Sequence, residues 1–197
     1  TEDDLQHIFS FMRQNKQYGL VGARIVKKNG VDESKPNDYY PGEKSIGFPY
    51  KDLPGKIAWV LGACMVIRKK VYEKTGGFDE DFFLYGEDLD LCLRIRKLGY
   101  EIGYLSTVAI THIGGASERE TNWYELTMKK QKALHLFYQK HYSDSAVKFL
   151  IKRDRRQARN QLLLGGLLRF LTLGFLRRAK EEKYRAIYNS CKEFFIG

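Results

Sequence analysis

The sequence predicts an α/β fold for residues 1–117, followed by an all-helical, strongly basic domain over residues 118–197. Apolar strand-like runs alternate with amphipathic helical patterns as far as residue 117, which is typical of α/β domains. Beyond that point every periodic pattern is helical. Charge divides in the same way: residues 127–197 hold 17 Lys and Arg against 5 Asp and Glu, whereas residues 1–126 hold 17 against 19.

The first elements follow from periodicity and turn residues. Asp3–Asn15 reads as an amphipathic helix with acidic residues in its first turn. Tyr18–Val26 is a strand, and Lys28–Gly30 is a hairpin-type turn. Val31–Lys56 is rich in Pro, Gly and Tyr and is too long for a simple connection. We therefore predict a binding loop there.

The middle of the chain continues the alternation. Ile57–Ile67 is an apolar strand interrupted by glycine, which suggests a bulge or a close approach of another group to the backbone. Lys69–Thr75 is a short helix. Two short strands, Tyr100–Leu105 and Val108–Thr111, lead directly to His112. A flexible turn over residues 113–117 and a long helix over residues 118–141 are predicted next.

An acidic segment, Gly76–Gly99, is the most informative stretch of the sequence. It contains six carboxylates, namely Asp79, Glu80, Asp81, Glu87, Asp88 and Asp90. Leu91, Cys92 and Ile95 then recur at helical spacing, so we predict a helix from Glu87 to Leu98 with acids in its first turn, where the helix dipole favours them.

The position of Asp88 has two interpretations. In the first, its carboxylate is part of an ordinary acidic helix start. Alternatively, because Asp88 is in register with the apolar residues Leu91, Cys92 and Ile95, it points inward. An inward carboxylate is costly unless it meets a cation, a metal or a substrate hydroxyl, so Asp88 is a candidate general base. Asp90 and Arg94 are predicted to form an i, i+4 pair on the helix surface.

The three cysteines, at positions 64, 92 and 191, are far apart and match neither a disulfide framework nor a zinc pattern. The sequence also lacks an N-x-S/T acceptor. Both observations favour a reducing, cytoplasmic compartment.

The basic segment contains an apolar stretch, Leu162–Leu176, that is shorter than the roughly 20 residues needed to span a membrane and carries Arg169. Basic runs flank it on both sides, a pattern typical of an interfacial helix on an anionic membrane surface. An ordinary packing helix with a solvated basic face and a protein partner are the alternatives. Nucleic acid is disfavoured because aromatic residues are not interleaved with the basic runs.

Taken in order, four features resemble one enzyme family. They are the Gly-containing strand Trp59–Met65, the segment GGFDEDFF, the segment YGEDLDLCLR, and a strand ending at His112. Together they look like the C-terminal half of a family-2 glycosyltransferase, most similar to the rhamnosyl- and galactofuranosyltransferase type. The resemblance covers residues 5–117, and more loosely the helical segment.

The resemblance implies a fold, a reaction and a set of site residues. The fold is the acceptor-side part of a GT-A, Rossmann-like nucleotide-sugar transferase domain, and the reaction inverts the anomeric centre. The residue roles it implies are catalytic base for Asp88, acceptor binding for Glu87, Trp59 and Asp81, the donor-sugar pocket for Gly62 and Ala63, and metal binding for His112.

The implied substrates are a dTDP- or UDP-sugar donor and a saccharide or lipid-linked acceptor, with Mn²⁺ or Mg²⁺ as cofactor. Rhamnosyl transfer in the synthesis of cell-wall or surface polysaccharide, by a protein peripheral at the inner face of the cell membrane, is the expected role. The alternative is a non-catalytic carbohydrate- or membrane-binding module with a structural metal site.

The sequence departs from the family pattern in one respect. The family's Asp-x-Asp motif lies upstream of a segment like residues 1–15, and no such motif precedes a strand end here. Residues 79–81 and 88–90 both have the Asp-x-Asp pattern, but their positions match the acceptor side of the family's catalytic domain. We therefore expect the donor-binding half to lie outside these 197 residues, and the chain alone to bind nucleotide-sugar weakly and to be inactive.

Overall fold

The computed structural model describes residues 2–113, 122–171 and 178–195. The chain divides into two compact units, Thr1–Ala116 and Ser117–Gly197. The first unit contains both strands and helices, whereas the described part of the second contains only helices.

The elements of the first unit follow the predicted order, with β2 and a 3₁₀ turn added inside the predicted loop Val31–Lys56. They are α1 (Glu2–Gln14), β1 (Tyr18–Val26), β2 (Asp32–Ser34), a 3₁₀ turn (Glu43–Ser45), β3 (Met65–Ile67), α2 (Lys69–Thr75), α3 (Glu87–Lys97) and β4 (Glu101–Thr111). The predicted turn after β1 is confirmed: Gly30 has a φ of 78°, and Lys27 and Val31 pair across the turn.

β1 is the centre of an open, mixed four-stranded sheet. β4 pairs with β1 in parallel over its whole length, from Tyr18 opposite Glu101 to Val26 opposite Thr111. The other edge of β1 pairs antiparallel with β3 at residues 20–22 and with β2 at residues 25–26. The C-terminal end of β1 therefore lies between the beginning of β2 and the end of β4.

Helices cover both faces of this sheet. On one face, α2 and α3 bury Val71, Leu91 and Ile95 against Leu20 and Ile102 of the sheet. On the other face, α1 buries residues 8 and 12 against residues 21, 23, 105 and 108. Neighbours along β1 alternate between the two clusters, as the two-residue period of a strand requires. The expected α/β content is thus confirmed.

Two strand predictions need correction. The predicted strand Ile57–Ile67 is extended sheet only at Met65–Ile67; Trp59 makes an isolated bridge to Asn37, and a turn occupies residues 62–63. The apolar run is explained by burial of Ala58 and Val60 beneath the loop rather than by sheet pairing.

The last strand also differs from its prediction. Instead of two short strands, β4 is a single strand of 11 residues. Its register against β1 shifts between Leu105 and Ala109, so exposed Ser106 and Thr107 bulge from the ladder. The polar pair that suggested a break is therefore a bulge.

The second unit contains α4 (Trp123–His141), α5 (Asp144–Leu171) and α6 (Arg178–Glu193). The predicted start of the long helix at residue 118 is wrong, because Asn122 is extended and its side chain caps the helix by accepting from the Glu125 amide at 2.8 Å. Trp123 is 64% exposed rather than packed.

The predicted turn at residues 113–117 lies almost wholly outside the described residues, as does the second half of the predicted interfacial helix Leu162–Leu176. Within the parts of the chain that are described, we find no helix long and apolar enough to cross a membrane.

Candidate active site

The start of α3 is shaped by two consecutive residues in the left-handed region. Tyr85 has a φ of 69° and Gly86 a φ of 86°. Glycine tolerates this conformation, whereas a tyrosine there is unfavourable and is a feature found at functional sites. The pair turns the chain sharply, so that Glu87 and Asp88 form the first positions of the helix after its Gly86 cap.

Asp88 points into the molecule, as its periodicity predicted. The residue is 9% exposed, and Leu91, Cys92 and Ile95 on the same face of α3 are fully buried. Its Oδ2 accepts a hydrogen bond from the Gly62 amide at 3.1 Å, and its Oδ1 accepts one from the Leu89 amide at 2.9 Å. Two backbone amides thus fix the orientation of the carboxylate.

The electrostatics of Asp88 suit a base. Burial raises the pKa of this carboxyl above its ordinary value, and the hydrogen bonds from the Gly62 and Leu89 amides offset only part of that effect. Desolvation disfavours the charged form. A carboxylate with a raised pKa holds a proton more strongly, so it is a better proton acceptor than a solvated aspartate.

Glu87, the preceding residue, has an unsatisfied oxygen. Its Oε2 is buried and has no hydrogen-bond partner among the residues that the structure describes. Burial, with a smaller contribution from the neighbouring charge of Asp88, raises the pKa of this carboxyl as well. An unpaired buried acceptor is costly, and a ligand hydroxyl at this position would satisfy it.

Asp90 is not the surface residue that we predicted. It is 1% exposed, and its Oδ2 accepts from Arg94 Nε at 2.8 Å and from Nη2 at 2.5 Å. Arg94 also donates to the Thr75 carbonyl at 2.6 Å, at the end of α2. The predicted i, i+4 pair is thus present, but Asp90 is buried and Arg94 is only 22% exposed, and the pair joins α3 to the end of α2.

Gly62 and Ala63 lie in the turn before β3. A Cβ at position 62 would lie 3.3 Å from the Cβ of Asp88, so glycine permits the close approach that the amide hydrogen bond requires. Ala63 is exposed. The structure thus gives Gly62 a contact with the proposed base, while the assignment of both residues to a donor-sugar pocket stays a prediction.

Trp59 is half-buried and packs against the core cluster beneath α3. Its indole N–H donates to the Tyr39 carbonyl at 3.2 Å, and its backbone pairs with Asn37. These contacts hold Trp59 as a support of the preceding loop; stacking on an acceptor sugar stays a prediction.

Asp81 is exposed in the turn between α2 and α3, and its amide donates to Asp79 Oδ1 at 3.1 Å. This bond is an Asx-type turn contact. The structure brings Gly62 and Asp88 together, beside Glu87, whereas acceptor binding by Asp81 stays a prediction.

His112 follows the end of β4, where its amide donates to the Val26 carbonyl at 2.9 Å. Its Nδ1 lies 2.8 Å from Glu33 Oε2 on β2. A carboxylate at one ring nitrogen fixes the imidazole and leaves Nε2 available to a ligand. The described side chains include no group of three His, Cys, Asp or Glu that could by itself hold a metal ion, and no contact links His112 to Glu87 or Asp88.

Two further features, one beside His112 and one in the predicted binding loop, were not identified from the sequence. The first is Glu33, the partner of His112. The predicted turn at Lys28–Gly30 already implied that the residues after it run back along β1, but their contact with His112 was not predicted. The second feature is a cavity of about 380 Å³ in the predicted binding loop. Its lining includes Tyr39, Phe48 and Tyr50 of the loop together with buried Arg96.

Arg96 explains how this loop keeps its shape. The side chain is 5% exposed and donates to the carbonyls of Leu53, Pro54 and Gly55 at 2.9–3.1 Å. The loop is thus attached to α3 more than two helical turns beyond Glu87 and Asp88.

Comparison with known proteins decides the family. The sequence profile described as glycosyl transferase family group 2 matches residues 1–180 of the 197. The chain belongs to this family. The resemblance carried by the acidic helix and the strand ending at His112 is therefore confirmed.

Individual relatives point to glycan synthesis. Residues of this chain are 28% identical over 118 positions to the low-salt glycan biosynthesis hexosyltransferase Agl10 of Haloferax volcanii, covering 56% of this chain and 38% of that protein. A 56-residue region is 36% identical to the N-acetylglucosaminyl-diphospho-decaprenol L-rhamnosyltransferase of Mycobacterium tuberculosis, covering 28% of this chain and 18% of that protein. The same length is 34% identical to rhamnosyltransferase WbbL of Escherichia coli, covering 28% and 21%. The chain thus spans less than two fifths of each of these relatives.

Proposed function

We propose that this chain is the acceptor-side part of an inverting glycosyltransferase, with Asp88 as the general base. The observation that carries the proposal is the buried carboxylate of Asp88, oriented by the Gly62 and Leu89 amides at the start of α3. Membership of the family supplies the reaction class. The donor-binding half would be supplied by sequence outside these 197 residues.

The reaction needs a base because a sugar hydroxyl is a weak nucleophile at neutral pH. Asp88 would accept the hydroxyl proton as the acceptor oxygen attacks the anomeric carbon of the donor, and the nucleoside diphosphate would leave from the opposite face. A positioned carboxylate contributes about 10²–10⁴-fold to such a step. Attack opposite the leaving group inverts the anomeric centre.

Glu87 and the loop cavity would bind the acceptor. The unsatisfied Oε2 of Glu87 accepts a hydroxyl donor without breaking an existing hydrogen bond. The ring faces of Tyr39, Phe48 and Tyr50 supply apolar contact surface of the kind that sugar rings use. Trp59 and Asp81 would complete the acceptor side, and Gly62 and Ala63 would border the donor sugar.

His112 would be the protein's ligand for Mn²⁺ or Mg²⁺, with Glu33 orienting its ring. One imidazole fits a site in which diphosphate oxygens provide most of the remaining ligands, since Mg²⁺ and Mn²⁺ prefer oxygen. When bound, such an ion supplies charge neutralisation for the leaving diphosphate.

The substrates are proposed from a relative of the chain, and the cellular location is proposed from its charge distribution. The mycobacterial relative is named for transfer of rhamnose to a diphospho-decaprenol-linked sugar, so we propose a dTDP- or UDP-sugar donor and a saccharide or lipid-linked acceptor for the present chain. The excess of 12 positive charges in residues 127–197 supports contact with an anionic membrane surface at the cytoplasmic face.

The test is a transfer assay on the chain joined to the donor-binding half of its family, with dTDP-rhamnose and UDP-sugars, in the presence of Mn²⁺ or EDTA. We expect transfer that stops when EDTA is added, and product with inverted anomeric configuration. A well-folded protein that transfers none of these sugars would instead favour a carbohydrate- or membrane-binding module.

A further inference from the structure

Four cations lie on one face of α5 without acidic partners. Lys152, Arg155, Arg156 and Arg159 occupy positions i, i+3, i+4 and i+7, which share a helix face. None of the four forms an ion pair with a carboxylate in the described part of the chain. Arg153, by contrast, is neutralised by Asp154 at 2.6 Å. Four like charges on one helix face repel one another unless an anion joins them.

These cations line a partly open recess on the surface of the second unit. Its volume is about 340 Å³, and Tyr188 of α6 completes the lining. This volume is within the range of roughly 300–1,000 Å³ found for small-molecule sites. The structure therefore offers a shallow recess in which a ligand can contact several guanidinium groups at once.

Tyr188 contacts one of these cations, Arg155. Arg155 Nη2 donates to its hydroxyl oxygen at 3.4 Å, and the Arg155 Cζ lies 5.2 Å from the centre of its ring. The neighbouring Arg155 lowers the pKa of the Tyr188 hydroxyl, with smaller contributions from Lys192 and Arg159. The local potential is thus positive at the hydroxyl, which can donate to an anion while Arg155 stacks on the ring.

We propose that this α5–α6 basic cavity binds a diphosphate group. The cations extend over seven residues of helix, about 10 Å, which is longer than a single phosphate and suits two linked phosphates. Arginine presents paired N–H groups that match phosphate oxygens. The argument rests on the second unit alone and does not depend on the proposed transfer reaction.

The diphosphate can come from a lipid carrier or from a soluble nucleotide. Leu163 and Leu164, which are 67% and 49% exposed, follow Arg159 on α5 within about a turn. Apolar surface beside the cations would contact the chain of a lipid diphosphate. A soluble nucleoside diphosphate would use the cations alone.

The binding test uses the 197-residue chain and inorganic pyrophosphate in isothermal titration calorimetry. We expect saturable binding that the double substitution Arg155→Gln/Arg159→Gln weakens by at least about tenfold, because it removes two charge-assisted contacts. The control Lys129→Gln/Lys183→Gln removes the same charge from exposed positions of the same unit and should change affinity less than about twofold. Arg156→Gln, a single exposed change, serves if the double variant does not fold.

Absence of saturable binding, or an equal loss in the lysine control, would overturn the proposal in favour of diffuse charge attraction.

A second arm compares vesicles that contain a polyprenyl diphosphate with vesicles of equal charge made with phosphatidylglycerol. A preference for the former that Arg155→Gln/Arg159→Gln abolishes would identify a lipid source, and pyrophosphate binding without that preference would identify a soluble one. Neither arm measures turnover, so a failure of the transfer assay leaves this test unaffected.

Discussion

The charge of a single residue, Asp88, links stability and function in the first unit. Because burial raises its pKa in the folded state, the folded protein binds the proton more tightly than the unfolded chain, whose aspartate pKa is about 3.9. The stabilising effect of protonated Asp88 is therefore complete below that value and is lost as pH rises through the higher folded pKa. The ionised base needed for transfer is maintained at a cost in stability.

This argument predicts the pH dependence of Asp88→Asn. The free energy of unfolding of the wild type, minus that of the variant, should decrease as pH rises above the ordinary aspartate pKa of about 3.9. Urea unfolding followed by circular dichroism measures both values. Asp52→Asn, which changes an exposed carboxylate of the same unit, is the control; an equal slope in that variant would contradict the assignment.

At the residue scale the sequence predicted the inward direction of Asp88 and the pairing of Asp90 with Arg94, but not the burial of Asp90. The inward direction of Asp88 followed from its spacing to Leu91 and Ile95, which depends on helix geometry alone. The burial of Asp90 did not follow from helix geometry. It depends on where the end of α2 places the Thr75 carbonyl, to which the Asp90 partner Arg94 also donates. The contact between His112 and Glu33 likewise requires β2 and β4 to flank β1, which is a long-range arrangement.

Among the elements, the connection between α2 and α3 depends on the buried pair of Asp90 and Arg94. Asp90→Ala leaves the guanidinium without its carboxylate, and we expect a loss of about 3 kcal/mol, the lower end of the range for breaking a buried pair. Glu73→Ala removes the acid of the exposed i, i+4 pair with Lys69 and should cost less than about 0.5 kcal/mol. Equal losses in urea unfolding would show that burial does not distinguish the two pairs.

Substitution of alanine for glycine should change the stability of the protein in opposite directions at two positions. A Cβ at Gly22 of β1 would lie 2.8 Å from Val60 Cγ2, so Gly22→Ala should destabilise the protein by about 1–3 kcal/mol. Gly166, inside α5, has no described atom within 4 Å of such a Cβ, so Gly166→Ala should stabilise by about 0.5–1 kcal/mol. Thermal unfolding of both variants measures the signs, and a stabilised Gly22→Ala would contradict the packing of Val60 on β1.

At this scale periodic segments were predicted well and aperiodic ones poorly. α1, β1 and α2 lie within about a residue of their predicted ends because each carries a clear period and a stop signal. The prediction of a strand over Ile57–Ile67 was wrong for most of its length, because an apolar run indicates burial without indicating sheet pairing. The start of α4 was misplaced, although Asn122 three residues before Glu125 is a capping pattern.

For the whole molecule, the unequal charge distribution predicts binding to anionic membranes. The chain should co-sediment with phosphatidylglycerol-containing vesicles at low salt and much less at high salt, since screening shortens the range of the attraction. Each cation near the surface contributes about 1 kcal/mol, so Lys183→Gln should lower binding roughly fivefold. Equal binding to neutral vesicles would show that the charge is not responsible.

The assignment of Asp88 as general base is tested most directly by the initial rate of sugar transfer. The assay compares Asp88→Asn with the wild type and with Asp3→Asn, which changes an exposed carboxylate of α1, in the chain joined to its donor-binding half, with folding verified by circular dichroism. We predict that Asp88→Asn loses about 10²–10⁴-fold in rate while Asp3→Asn retains the wild-type rate. A folded Asp88→Asn protein that transfers sugar at the wild-type rate would contradict the assignment.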